Sequence, residues 1–233
     1  MYKSIMAVAS LTQLTSAVST PYISGEITST ETFLYGKFIA KVTSPSAKGS
    51  TTGFFTQWTG PDWDYTLWNS IEMEIVPSME PTTLSDDLSY GDGTDRIQEQ
   101  TYQDVVIGDD AHIYELTWTP NEVSLSIDGR DDLLRKYEAG DPGVDNQTKQ
   151  QNIMFNLWAP DWYAHTEDWS KGRDDSTMPW YAKCDYIEYH SWNSETDEFE
   201  FEWRDDFDYL DTSKWTVADN VTWDENLSTF MPS

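Results

Sequence analysis

The amino-acid sequence predicts an all-β chain, and three observations carry that expectation. After Pro21, short β-rich runs alternate with Gly, Pro, Asp and Ser punctuation, which is how strands and turns are written. No convincing helical period is sustained beyond about ten residues. The pair Asp128-Gly129 follows the cleanly alternating run Glu122 to Ile127, a hairpin turn after a strand. At 233 residues the chain can bury one sizeable core, so a single sandwich or barrel is the natural architecture.

Taken in chain order, residues 1–19 read as a targeting segment. Lys3 precedes the apolar run Ile5 to Leu11, and Ala17 and Ser19 are small residues at a cleavage point, which predicts secretion. The alternative for the same run is an edge strand. Residues 20–233 then form one domain, with strands expected over Gly36–Val42, Thr52–Thr59, Trp68–Val76, His112–Thr119, Glu122–Ile127, Ile153–Trp158 and Trp180–His190. The stretch from Pro77 to Thr101 is polar and rich in Gly and Asp, and reads as a long loop with one weak strand. No internal repeat is present.

Composition narrows the partners. Carboxylates outnumber basic residues 42 to 14, for a formal charge of -28, which repels phosphate backbones and anionic lipid and so argues against nucleic acid. No apolar stretch is long enough to span a bilayer. The single cysteine, Cys184, rules out an internal disulfide framework and reads as a packed strand residue. The three histidines, His112, His165 and His190, are too scattered for a zinc site. With 12 Trp and 13 Tyr there are more rings than packing demands, so some should face solvent or ligand. Sequons at Asn146, Asn220 and Asn226 fit a secreted glycoprotein.

The most informative stretch is Trp68-Asn69-Ser70-Ile71-Glu72-Met73-Glu74-Ile75-Val76. A strand's period of two puts Trp68, Ser70, Glu72 and Glu74 on one face and Ile71, Met73 and Ile75 on the other. Same-face neighbours lie roughly 6.6 Å apart, so Glu72 and Glu74 repel and at least one pKa should rise, as a general acid requires. The bland alternative is a solvent-facing acidic strand in an acidic protein.

This strand resembles that of glycoside hydrolase family 16, the laminarinase and lichenase (endo-β-1,3(4)-glucanase) family. Gly53-Phe54-Phe55 and Trp58-Thr59-Gly60-Pro61 stand before it and Asn156-Leu157-Trp158 after it. Tyr35-Gly36-Lys37-Phe38, His112-Ile113-Tyr114, Trp118-Thr119-Pro120-Asn121 and Asp128-Gly129 recur in the same order. The resemblance covers most of the chain from Ser24 onward. It implies a jelly-roll β-sandwich of two curved antiparallel sheets, with a cleft across the concave one. The segment from Arg204 to Trp215 resembles the one that normally opens such a domain yet closes this chain, so the order implied is circularly permuted.

By the same resemblance, the family's Glu-x-Asp-x-Glu falls on Ser70, Glu72 and Glu74. Glu74 takes the acid/base position, Glu72 that of the central helper, and Ser70 the position of the nucleophile, which it vacates. A serine hydroxyl there has no base partner and a pKa far too high to attack an anomeric carbon, whereas retaining hydrolysis needs both outer carboxylates. The expectation is a noncatalytic protein that binds β-glucan or another extracellular glycan, or a structural protein that meets other extracellular chains. The alternative is a weak or unconventional endo-β-glucanase working through Glu72 and Glu74. Trp68, Trp158, Asn156, Trp58 and Phe55 are the expected glycan contacts, with Trp63, Trp162, Trp169 and Trp180 as rims. No cofactor is required. Asp185 matches the side-chain ligand of a structural Ca²⁺ that the family often binds.

Overall fold

The computed structural model describes residues 5–11, 22–60, 67–77, 82–92, 95–105, 109–133, 135–160, 173–219, 221 and 228–231. Among them are strands β1 (Ile5–Leu11), β2 (Tyr22–Ser29), β3 (Gly36–Thr43), β4 (Thr51–Gln57), β5 (Leu67–Val76), β6 (Thr83–Asp92), β7 (Ile97–Asp104) and β8 (His112–Thr119). They continue with β9 (Glu122–Ile127), β10 (Arg135–Glu138), β11 (Asn152–Trp158), β12 (Trp180–Asn193), β13 (Glu198–Asp205), β14 (Trp215–Val217) and β15 (Ser228–Phe230). A single helical turn, α1 (Pro142–Asp145), is capped by the Asp141 carboxylate on Gly143 N.

Two antiparallel sheets make a jelly-roll sandwich. One runs β10-β9-β8-β3-β12, with β13 on β12; the other runs β2-β11-β4-β5-β6-β7, with β14 and β15 on β2. Strand β1 joins them, since residues 5–9 pair with β12 and residues 10 and 11 with β2. The first and last strands thus meet on β2, where β15 adds the one parallel pairing among the described strands.

The alternation written in the sequence builds the core. Phe38, Ala40 and Val42 of β3, Leu116 and Trp118 of β8, and Val123, Leu125 and Ile127 of β9 face Ile71, Met73 and Ile75 of β5 and Ile153, Phe155 and Leu157 of β11 in one buried cluster. Burying such rows is the main favourable term in folding. Cys184 is buried in the same cluster, as its strand position predicted. Asp128 and Gly129 both take positive φ, 55° and 60°, and Arg130 N closes the turn on Ile127 O at 3.0 Å, the backbone that Asp-Gly favours. The return strand, β10, begins only at Arg135, so the hairpin is wider than the dipeptide alone implies.

The expected long loop over Pro77–Thr101 is a correction. It contains all of β6 and the first half of β7, which pair with each other and extend the sheet beyond β5. Alternation is present in β6, with Leu84, Leu88 and Tyr90 inward, but Asp86 stands in the same inward row and is fully buried. Its carboxylate accepts from Thr101 Oγ1 at 2.9 Å and from the Tyr137 hydroxyl, and pairs with Arg135 Nε at 3.4 Å. Partners from β7 and β10 satisfy the buried acid, which otherwise disqualifies a core-facing row.

Behind β5, the core-side residue Asn69 pins the segment that follows α1. Its Nδ2 donates to Asn146 O at 2.8 Å, and its Oδ1 accepts from Thr148 N and Lys149 N at 3.1 Å each. Gln147 Nε2 donates to Ser70 O and Ser89 O at 3.0 Å each, while its Oε1 accepts from Gln151, which in turn accepts from Thr56 at 2.6 Å. This network fixes the backbone of the Ser70 position from below. Asn69→Ala removes the bonds to two backbone amides and a carbonyl of this part-buried segment and is expected to cost about 1–2 kcal/mol, read as a lowered urea midpoint with unchanged slope.

Candidate active site

The outward face of β5 presents Trp68, Ser70, Glu72 and Glu74, in register with both neighbours. Ser70 stands between Gln57 of β4 and Ser89 of β6, Glu72 between Phe55 and Asp87, and Glu74 between Gly53 and Ser85. The last of these rows continues through Asn156 of β11 to Glu26 of β2. The site is therefore a patch woven from five strands.

Its polar groups form a chain. The Trp68 indole N–H donates to Ser70 Oγ at 3.0 Å, and Ser70 Oγ donates to Glu72 Oε1 at 2.5 Å. Asp87 accepts from Ser89 Oγ at 2.8 Å on one oxygen and from the Gln98 amide on the other. Arg96 lies with its guanidinium carbon 3.8 Å from the centre of the Trp68 ring and donates to Ser89 Oγ at 3.2 Å. At the other end of the row, the Trp158 indole N–H donates to Glu74. Asn156 Nδ2 donates to Glu26 Oε2 at 3.1 Å and its Oδ1 accepts from Gly53 N at 3.2 Å. A Cβ on Gly53 would lie 2.7 Å from that Oδ1, so only glycine lets the asparagine close so tightly on the strand.

Burial governs the electrostatics. Glu72 is pushed up to about 7, first by desolvation and then by the charge of Asp87, against the Ser70 hydrogen bond and the charge of Arg96. Glu74 is raised well above the ordinary carboxylate range by desolvation, then by Glu72 and Asp87, with the Trp158 hydrogen bond opposing. Asp87 is raised by desolvation despite its bonds from Gln98 and Ser89. Glu26 is pushed up to about 7 by desolvation, with Asn156 opposing. The repulsion expected of Glu72 and Glu74 enters at Glu74, as the second cause after desolvation, whereas at Glu72 the neighbouring charge is that of Asp87.

A model of glycosyl hydrolases family 16 matches residues 3–205 of this sequence. The chain belongs to that family. The β-glucanase of Fibrobacter succinogenes is 30% identical over 192 residues, covering 81% of this chain and 53% of that one. The chain spans about half the length of the curated relatives it matches. Among solved structures, the Bacillus licheniformis β-glucanase superposes with a TM-score of 0.58 at 22% identity, covering 80% of this chain and 78% of that one. A family 16 protein of Bacteroides ovatus, solved with a G4G4G3G product, gives 0.62 at 18% identity, covering 80% of each chain. At such identities these two likenesses speak for the family 16 fold.

The expected site residues divide on this scaffold. Trp68, Ser70, Glu72 and Glu74 share one face with Phe55, Asn156 and Trp158, although Phe55 and Trp158 are each only 7% exposed. Two expectations are corrected. Trp58 follows the outward Gln57, so the strand period turns it off that face, and its ring lies under Lys149 Nζ at 5.1 Å, against the segment that Asn69 anchors. Trp180, expected at a rim, is 2% exposed within the core, its indole N–H donating to Thr177 Oγ1 at 2.7 Å. Trp63, Trp162 and Trp169 lie outside the described residues.

Asp185, the residue expected to serve a structural Ca²⁺, is paired with Lys41 Nζ at 3.1 Å. No group of three or more His, Cys, Asp or Glu side chains placed to hold a metal occurs among the described residues. Asp87, Arg96 and Glu26 are the residues that sequence reasoning passed over. The first two lie in the stretch read as a loop. The only local sign of Glu26 is an acid inside an otherwise uncharged β-rich run.

Proposed function

We propose that this chain is a noncatalytic β-glucan-binding protein on a family 16 scaffold, with Ser70 standing where the family's attacking carboxylate belongs. The observation that carries the reading is the Ser70 hydroxyl itself, held between the Trp68 indole and Glu72. A retaining hydrolase needs one ionised carboxylate opposite a protonated one. Here Glu72, Glu74 and Asp87 are all shifted toward the protonated form. Asp87 adds an acid beside the row, but both its oxygens already accept hydrogen bonds. What remains is a polar floor flanked by rings, the kind of surface on which a neutral sugar chain is held.

The names of the relatives, β-glucanases, favour the rival reading of a weak endo-β-glucanase in which Glu74 is the acid and Glu72 the nucleophile. Retention on laminarin or mixed-linkage glucan separates the two readings from a purely structural role. The binding protein is retained, and Trp158→Ala, which removes a ring and the hydrogen bond to Glu74, weakens retention about tenfold. A protein that passes through unretarded contradicts the reading.

Export and a permuted strand order belong to the same proposal. The sequons support the first, although the apolar run Ile5–Leu11 of the leading segment stands as strand β1, paired with β12 and β2. The meeting of β1 and β15 on β2 supports the second, because neighbouring chain ends are what permutation requires. No helix among the described residues is long and apolar enough to cross a membrane.

A further inference from the structure

We propose that Arg96 sets the length of glucan this face can grip, because its guanidinium occupies the ring of Trp68 on which a sugar would otherwise stack. The inference rests on the glucan-binding reading and names a specificity determinant within it.

Three contacts define the arrangement. The Trp68 indole is fixed by its N–H on Ser70 Oγ at 3.0 Å, so the ring cannot swing freely to offer another surface. The Arg96 guanidinium carbon lies 3.8 Å from the ring centre, at stacking distance. Its Nη2 is tethered to Ser89 Oγ at 3.2 Å, and Ser89 is the cross-strand partner of Ser70. The cation is therefore bolted across the Ser70 end of the row. Arg96 is itself exposed while Trp68 is only partly so, which puts the arginine on the open side of the indole.

A guanidinium and a pyranose cannot share one ring face. A glucan chain reaching this end must first break the cation–π contact and the bond to Ser89, so the end adds little to affinity. Sugar units at the Glu74 end, near Trp158 and Asn156, meet no such requirement from Arg96. The result is a shorter footprint than the row could offer.

The test is calorimetric titration of the full chain with β-gluco-oligosaccharides of increasing length. Wild-type affinity levels off at a shorter oligosaccharide than that of Arg96→Ala, and the variant binds the longer ligands about threefold to tenfold more tightly. Arg96→Gln, which also removes the cation, behaves the same way. The gain disappears in Arg96→Ala/Trp68→Ala, because the freed indole face is then no longer there to be stacked on. A single cooperative thermal melt from each variant checks that the fold is intact. Equal or weaker binding by both arginine variants, with wild type binding, overturns this inference and leaves the glucan reading standing. Silence from wild type and variants alike overturns both.

Discussion

Raising the pH from about 5 to about 8 is expected to lower the melting temperature by about 10 °C, the opposite of the usual behaviour of paired carboxylates. The cause is the buried acids of the site. Glu26 and Glu72 are each pushed from 4.5 up to about 7 by burial. Below 4.5 both are protonated in the folded and unfolded chain alike, and the stability they allow is fully present. Between 4.5 and 7 the unfolded chain gives up its protons while the folded chain keeps them, so stability falls as pH rises and is lost above the folded values. Each group contributes on the order of 3 kcal/mol over that window. Glu74 and Asp87, also raised, act in the same sense, as does the self-repulsion of a chain carrying -28. Surface acids with lowered values, such as Asp128, Asp174 and Asp211, oppose the trend only as the pH falls through the lower acid range. Glu26→Gln keeps an oxygen for Asn156 and is expected to flatten the dependence and raise stability at the alkaline end. Thermal melts across this range check both statements. A stability that rises with pH would show that these carboxyls are ionised in the folded protein.

If the proposed noncatalytic role holds, Ser70→Glu is expected to yield a slow hydrolase, raising sugar release from the detection floor by several orders of magnitude. The surroundings already suit an attacking carboxylate. The Trp68 N–H now spent on Ser70 would donate to the new carboxylate, and Arg96 lies close by, so both favour its ionised form. Glu74, shifted by burial toward its protonated form at the far end of the row, would supply the proton to the leaving oxygen. Reducing-end assays on mixed-linkage glucan check the gain, with Glu74→Gln in the same background abolishing it. A folded but inert variant would mean that the face has been remodelled beyond the loss of one side chain.

The central row was legible because it needs only a period of two: Ile71, Met73 and Ile75 inward, Ser70, Glu72 and Glu74 outward. The core strands around it were legible for the same reason. What escaped depended on register between distant segments. Glu26 reaches the site only because β2 lies beside β11, and its partner Asn156 is 130 residues away. Asp87 and Arg96 were hidden together, since a fully buried Asp86 breaks the apolar row of β6 and makes a strand look like a loop. Two of the tryptophans, Trp58 and Trp180, stand elsewhere than expected. A ring at the start of β12 and one just after β4 look alike in a sequence, and only the packed sandwich sends one into the core and sets the other against Lys149.

The measurement that bears most directly on the vacated position is prolonged incubation of the wild-type protein with mixed-linkage glucan, with product chains counted by their reducing ends. The proposed glucan-binding role predicts no release above a protein-free control, with glucan still bound at the end. Release that Glu72→Ala abolishes would contradict it, for the acid beside Ser70 would then be performing the attack that the serine cannot.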